Sequence, residues 1–142
     1  MKATKPSLEK VDTFGSIPFY SQAVAAGFPS PADDFLEFDL SLDKKLIKHP
    51  SATFFVRVSG TSMINAKIFD GSILLIDRAE KIKNGDIVLA VVDGDFTVKR
   101  YRKLGGVVSL YPENKNMRPI KIEEGSESYV WGKVMWSFNT VG

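Results

Sequence analysis

Hydrophobic and polar positions divide the chain into two regimes. Up to about residue 30 the apolar residues follow no period. Met1 to Asp12 is polar and basic, interrupted by Pro6, and only Ile17 to Tyr20 reads as a short strand. Ala23-Val24-Ala25-Ala26-Gly27-Phe28-Pro29-Ser30-Pro31 follows, and the whole stretch is expected to be a flexible arm with a Pro-rich entry to the domain. From Asp33 the pattern becomes that of a globular domain. Ser41 is placed to cap a short helix over Leu42 to Lys48, with Leu42, Leu46 and Ile47 on one side. Thr53 to Val58 is β-branched and aromatic, a strand, and Ile73 to Ile76 is an apolar run short enough for a buried one. Turns are expected at Asp70-Gly71 and Asn84-Gly85.

The sharpest local signal is Asp93-Gly94, between the strand Ile87 to Val92 and a second run from Asp95. A two-residue turn of this composition favours type I′ geometry. With Asp93 and Gly94 as its central pair, Val92 faces Asp95, Ala90 faces Thr97 and Val88 faces Lys99. Alternation then puts Thr97 and Lys99 on one face beside Val88 and Ala90, and Leu89, Val91, Phe96 and Val98 on the other. Both faces are apolar, so the strand is an interior one and Lys99 falls on a largely buried surface. Arg100 lies on the opposite side. Gly105-Gly106 makes another hairpin into Val107 to Tyr111. A polar loop, Pro112 to Asn116, follows it, and further strands cover Ile120-Lys121-Ile122 and Tyr129 to Phe138. The expected fold is a mostly β single domain, a curved sheet or partial barrel.

Composition narrows the chemistry. The chain has 142 residues, 44% hydrophobic and 25% charged, with a net charge of +2. That is enough for a real core and too little basic excess for a nucleic-acid footprint. No apolar run reaches transmembrane length. Lys2 and Lys5 precede an Ala-Val-Ala, but Gly15, Pro18, Ser21 and Gln22 break up what a secretory signal would need. Cysteine is absent, which fits the cytosol and removes disulfides and cysteine nucleophiles. The single histidine, His49, precedes Pro50 in a turn and reads as a surface residue, so a histidine-based triad has poor material.

A lysine on an apolar face carries a penalty in its charged form and tends to lose its proton. A neutral lysine beside a serine hydroxyl is a general base, and the serine–lysine pair is a known variant of the hydrolase triad. Val56-Arg57-Val58-Ser59-Gly60-Thr61-Ser62-Met63 reads as a strand running into a tight turn that presents Ser62. Thr97, on the face of Lys99, could orient the amine. Ala26-Gly27 joins two small residues ahead of Pro29 and Pro31, which favour the extended backbone that proteases bind. Spacing alone leaves the bland readings open: a serine in a surface turn, a lysine snorkelling from a strand end, an Ala-Gly linker.

Taken together and in order, Gly60-Thr61-Ser62-Met63, Asp70-Gly71, Gly85-Asp86 and Phe96-Thr97-Val98-Lys99 resemble the LexA-like self-cleaving proteins. Ala26-Gly27-Phe28-Pro29-Ser30-Pro31 and His49-Pro50-Ser51-Ala52-Thr53 resemble the UmuD branch, accessory subunits of the SOS mutagenic polymerase. The resemblance implies a LexA/UmuD-like curved β-sheet domain over 27–142 and an arm, 1–26, removed by self-cleavage. It implies Ser62 as nucleophile, Lys99 as general base, Thr97 in support, backbone N–H groups of Thr61 and Ser62 as the oxyanion site, and Ala26-Gly27 as the scissile bond. No cofactor or metal is implied. The implied partners are a second copy in a homodimer, the RecA–single-stranded-DNA filament as co-protease, and a UmuC-type Y-family polymerase that the processed product makes competent for translesion synthesis. A repressor of this family carries a helix-turn-helix before its cleavage site. The 26 residues before Gly27 are too few for one, so direct sequence-specific DNA binding is not expected. Two rival readings are a non-enzymatic polymerase-interaction module with a vestigial dyad, and a type I signal peptidase, which would need a membrane anchor.

Overall fold

The computed structural model describes residues 2–3, 17–20, 36–40 and 42–142, with residues 17–20 and 36–40 described by their backbone. Two compact units are present, one of Met1–Glu9 with His49–Gly142 and one of Lys10–Lys48. In the smaller unit β2 (Ile17–Tyr20) pairs antiparallel with β3 (Leu36–Leu40), and α1 covers Leu42–Leu46. The strand at Ile17 is the expected one, whereas its partner β3 was not anticipated. The helix ends two residues earlier than its apolar pattern suggests. Ile47 N–H still bonds to Asp43 O at 2.9 Å, but His49 stands before Pro50 and takes φ −129° and ψ 83°, away from the helical region. Ser41, the expected cap, and Ala26-Gly27 lie outside the described residues.

The larger unit is an antiparallel sheet of eight strands. These are β1 (Lys2–Ala3), β4 (Thr53–Ser59), β5 (Ile73–Asp77), β6 (Ile87–Val92), β7 (Asp95–Leu104), β8 (Val107–Tyr111), β9 (Ile120–Ile122) and β10 (Tyr129–Phe138). Their spatial order is β1-β4-β5-β10-β6-β7-β8-β9. β1 also pairs with β7, so it bridges two otherwise separate strands and closes part of the sheet into a ring. Within the expected arm, Lys2 and Ala3 form a ladder, Lys2 opposite Ser59 and Thr97 and Ala3 opposite Val58. The signal was absent from the sequence because two residues have no period and the pairing is entirely non-local.

The β6–β7 hairpin has the register that its turn dictates. Asp93 and Gly94 have φ of 50° and 86°, the two positive angles a type I′ turn requires, and Val88 pairs with Lys99, Ala90 with Thr97 and Val92 with Asp95. β7 lies between β6 and β8, an interior strand as its two apolar faces imply. Leu89 and Val98 enter the main core with Val56, Val58, Met63, Ile68, Leu74 and Ile76. Val88 and Ala90, from the other face, pack with Leu110 of β8 in a second cluster.

β10 bends at two register shifts, one between Val130 and Gly132 and one between Val134 and Trp136, which lets a single strand serve both β5 and β6. Gly132 is buried at the first shift, where an added Cβ would stand 2.7 Å from Ile76 Cγ2 and 3.4 Å from Asp77 O. The β-branched Ile76 side chain is itself wholly buried and has little room to yield. Gly132→Ala is therefore expected to destabilise by about 1–3 kcal/mol through overpacking. A urea-unfolding midpoint equal to that of the wild type would show that β10 can shift instead.

Candidate active site

β4 ends at Ser59, and the next residue, Gly60, has φ 98°, a conformation that disfavours any Cβ. Its N–H donates to Asp70 Oδ1 at 2.9 Å, while Gly71 N–H reaches back to Val58 O at 2.8 Å. The expected turn at Asp70-Gly71 is thus the brace of the turn at Gly60. Beyond it Ile64 N–H bonds to Thr61 O at 3.2 Å, and one turn of 3-10 helix, Ile64–Ala66, begins. Met63 is wholly buried in the main core. Burial of that side chain pins the residue next to Ser62, which gives the methionine of the motif a physical role.

Ser62 is itself buried, 2% exposed, and Lys99 is 6% exposed. The Lys99 Nζ lies 3.0 Å from Ser62 Oγ, 3.1 Å from Thr97 Oγ1 and 3.3 Å from Val98 O. Burial pushes the Lys99 pKa below that of an ordinary lysine. The three contacts bear on what a neutral amine can do there. It has two N–H donors and one lone pair. The Val98 carbonyl can only accept, and the Thr97 hydroxyl accepts the second N–H. As an ammonium Nζ donates to Ser62 Oγ; as a neutral amine with both N–H groups so used, it can turn its lone pair to that hydroxyl and accept its proton. The arrangement can abstract the Ser62 proton without a histidine.

The sequence-predicted residues Ser62, Thr97 and Lys99 are therefore brought together, with Thr61 next in the chain. His49 is not among them. Its Nδ1 sits 2.7 Å from Oδ2 of the buried Asp77, at the end of β5, and Asp77 Oδ1 accepts the N–H groups of Ala79 and Glu80. The ring is thus fastened to a turn at the surface. His49, Asp77 and Glu80 also place one potential ligand atom each within 4.8 Å of one another, but the Asp77 carboxylate is already engaged at both oxygens.

Sequence reasoning overlooked the segment Glu113-Asn114. Asn114 Nδ2 donates to Thr61 O at 2.9 Å, and Asn65 N–H donates to Glu113 O at 2.9 Å. The Glu113 carboxylate pairs with Arg100 Nε, and Arg100 Nη1 donates to Gly85 O at 2.6 Å. The polar loop after β8 is thus tied to the turn that carries Ser62 and, through Arg100, to β7.

Residues 18–135 match the family described as Peptidase S24-like. The chain belongs to the Peptidase S24-like family. It is similar to the protein MucA of Salmonella typhimurium, 44% identical over 123 residues that cover 86% of this chain and 84% of that one. It is similar to SamA of Salmonella typhimurium strain LT2, 43% identical over 109 residues, or 77% and 76% of the two chains. LexA repressor 2 of Geobacter sulfurreducens is 41% identical over 113 residues, covering 79% of this chain and 55% of the repressor. The UmuD-like resemblance read from the motifs is borne out, as is the mostly β LexA/UmuD-like fold. The S24 family is one of serine peptidases. Among the described residues no helix is long and apolar enough to cross a membrane.

Proposed function

We propose that this S24 protein is a self-cleaving serine peptidase of the SOS response that cuts its own Ala26-Gly27 bond. The observation that carries the reading is the buried 3.0 Å contact between Lys99 Nζ and Ser62 Oγ. Neutral Lys99 takes the Ser62 proton as Oγ attacks the Ala26 carbonyl carbon. The oxyanion is received by backbone N–H groups of Thr61 and Ser62. Collapse breaks the C–N bond, Lys99 returns the proton to the Gly27 amine, and Ala26 is left as an ester on Ser62. Water, deprotonated by Lys99, then hydrolyses the ester and restores the dyad.

The regulatory part of the proposal follows from the family. The RecA–single-stranded-DNA filament stabilises the cleavable conformation and supplies no catalytic group. Removal of the arm, 1–26, leaves a dimeric product over 27–142 that joins a UmuC-type polymerase for translesion synthesis. Each molecule is its own substrate once, so the dyad works as a switch.

Incubation of the purified chain at mildly alkaline pH, with and without activated RecA, tests the reading. Mass spectrometry is expected to find a fragment starting at Gly27, absent from Ser62→Ala and Lys99→Ala. No fragment under either condition would leave a polymerase-binding module with a vestigial dyad.

A further inference from the structure

We infer that Asn114 is a positioning residue for the nucleophile turn: its side-chain amide sets the plane of the Thr61–Ser62 peptide. The inference rests on the peptidase reading above. Thr61 C=O and Ser62 N–H are the two ends of one planar trans unit and point in opposite directions. A donor that holds the oxygen therefore also aims the N–H, and it limits rotation about the bonds that lead to the Ser62 side chain. Asn114 Nδ2 supplies that donor at 2.9 Å, from outside the turn. The 3.2 Å bond from Ile64 N–H is made within the turn and moves with it.

The hold is external because the loop carrying Asn114 is fixed elsewhere. Asn114 Oδ1 accepts the N–H of Asn116 at 3.0 Å, and Met117 N–H bonds to Asn114 O at 3.1 Å. Glu113 binds Arg100, the residue after Lys99 on β7, and its carbonyl accepts Asn65 N–H just beyond Ser62. One short loop thus links the strand that bears the base to the turn that bears the nucleophile, on both sides of Ser62. Asn suits this position better than its isosteres because it needs both halves of the amide: an oxygen to accept from Asn116 and an NH₂ to donate to Thr61.

That division of labour gives the test. Asn114→Asp keeps the acceptor that orders the loop and removes the donor, setting a carboxylate against Thr61 O. Asn114→Ala removes both. Self-cleavage of the full-length chain is followed from neutral to strongly alkaline pH, so that a changed Lys99 midpoint is separated from a changed plateau. The plateau of Asn114→Asp is expected to fall about 10–100-fold, less than the loss typical of deleting an oxyanion donor outright, and to be no higher than that of Asn114→Ala. The Ser62 amide signal in an ¹H–¹⁵N spectrum is expected to move, with little change in Tm. A merely structural role for the loop predicts the reverse order, with Asn114→Asp close to wild type and Asn114→Ala slow. That order, or an Asn114→Asp plateau within about threefold of wild type, overturns the inference. If Asn114→Asp fails to fold, Asn114→Ala decides: a plateau within about threefold of wild type, or a lowered plateau that comes with a lowered Tm or an unmoved Ser62 amide signal, overturns the inference. A wild-type chain that never cleaves sinks the peptidase reading and this role with it; a cleaving wild type with unaffected Asn114 variants sinks this role alone.

Discussion

Lys99→Met is expected to reduce self-cleavage by more than ~10³-fold, the scale seen when one member of a nucleophile–base unit is removed. It is also expected to change how stability depends on pH, which a loss of activity alone would not reveal. Methionine keeps the length and packing of the lysine stem but carries no proton to lose. In the wild type the folded state lowers the Lys99 pKa through burial, so over the window between that lowered value and the ordinary lysine value near ~10.4 the unfolded chain binds the extra proton. Stability of the wild type therefore rises with pH across this window. Below it the full cost of burying an ammonium is present, and towards pH 10 the cost has gone. Measured in a Ser62→Ala background, to keep the chain intact, the Met variant should gain on its lysine parent as the pH falls through the window and level off below it. Parallel Tm profiles from pH 6 to 10 would mean that Lys99 is solvated and not held as a base.

That lysine shows how far the sequence can be read. A single dipeptide, Asp93-Gly94, fixed the register of β6 and β7, and the register placed Lys99 opposite Val88 on an apolar face. Short-range rules suffice there because turn geometry and side-chain alternation both act over a few residues. The same rules located β5, β8, β9 and β10, whose turns and apolar runs are contiguous. They missed β1, which exists only through its partners in β4 and β7, and β3, although Leu36, Phe38 and Leu40 alternate there with Glu37 and Asp39 as a half-buried strand would. Ser62 needed the family resemblance before it stood out from other serines, since its burial and the braces from Asp70 and Asn114 come from loops 8 to 52 residues away in the chain. Glu113 and Asn114 looked like solvated loop residues because their partners are set by the fold: the Arg100 guanidinium on β7 for the Glu113 carboxylate, and for Asn114 a backbone carbonyl of a distant turn, which leaves no mark in residue type. The site is thus half legible: Lys99 from pattern, Ser62 from resemblance, and the loop that ties their elements together from structure alone.

The pH–rate profile of the wild type, compared with that of Thr97→Val, tests the division of hydrogen bonds around the amine. Only neutral Lys99 can accept the Ser62 proton, so the cleavage rate should rise about tenfold per pH unit below the Lys99 pKa and flatten above it. The lowered pKa places that bend below the ordinary lysine range. Thr97 Oγ1 accepts from Nζ at 3.1 Å, and an acceptor stabilises an ammonium more than a neutral amine. Replacing the hydroxyl with a methyl of similar shape therefore favours the neutral form and should move the bend to lower pH. It should also lower the plateau, by about tenfold. One of the two acceptors that turn the lone pair towards Ser62 is then missing, and Val98 O alone leaves the amine free to rotate. The two changes oppose each other in a fixed-pH assay: near neutrality the variant has more of the neutral amine but each neutral amine is less well aimed. The full profile separates them. A lower bend with an unchanged plateau would reduce Thr97 to an electrostatic neighbour, and a bend that moves to higher pH would mean that the hydroxyl donates to Nζ, which would leave the amine's N–H pointing at Ser62 and the dyad facing the wrong way.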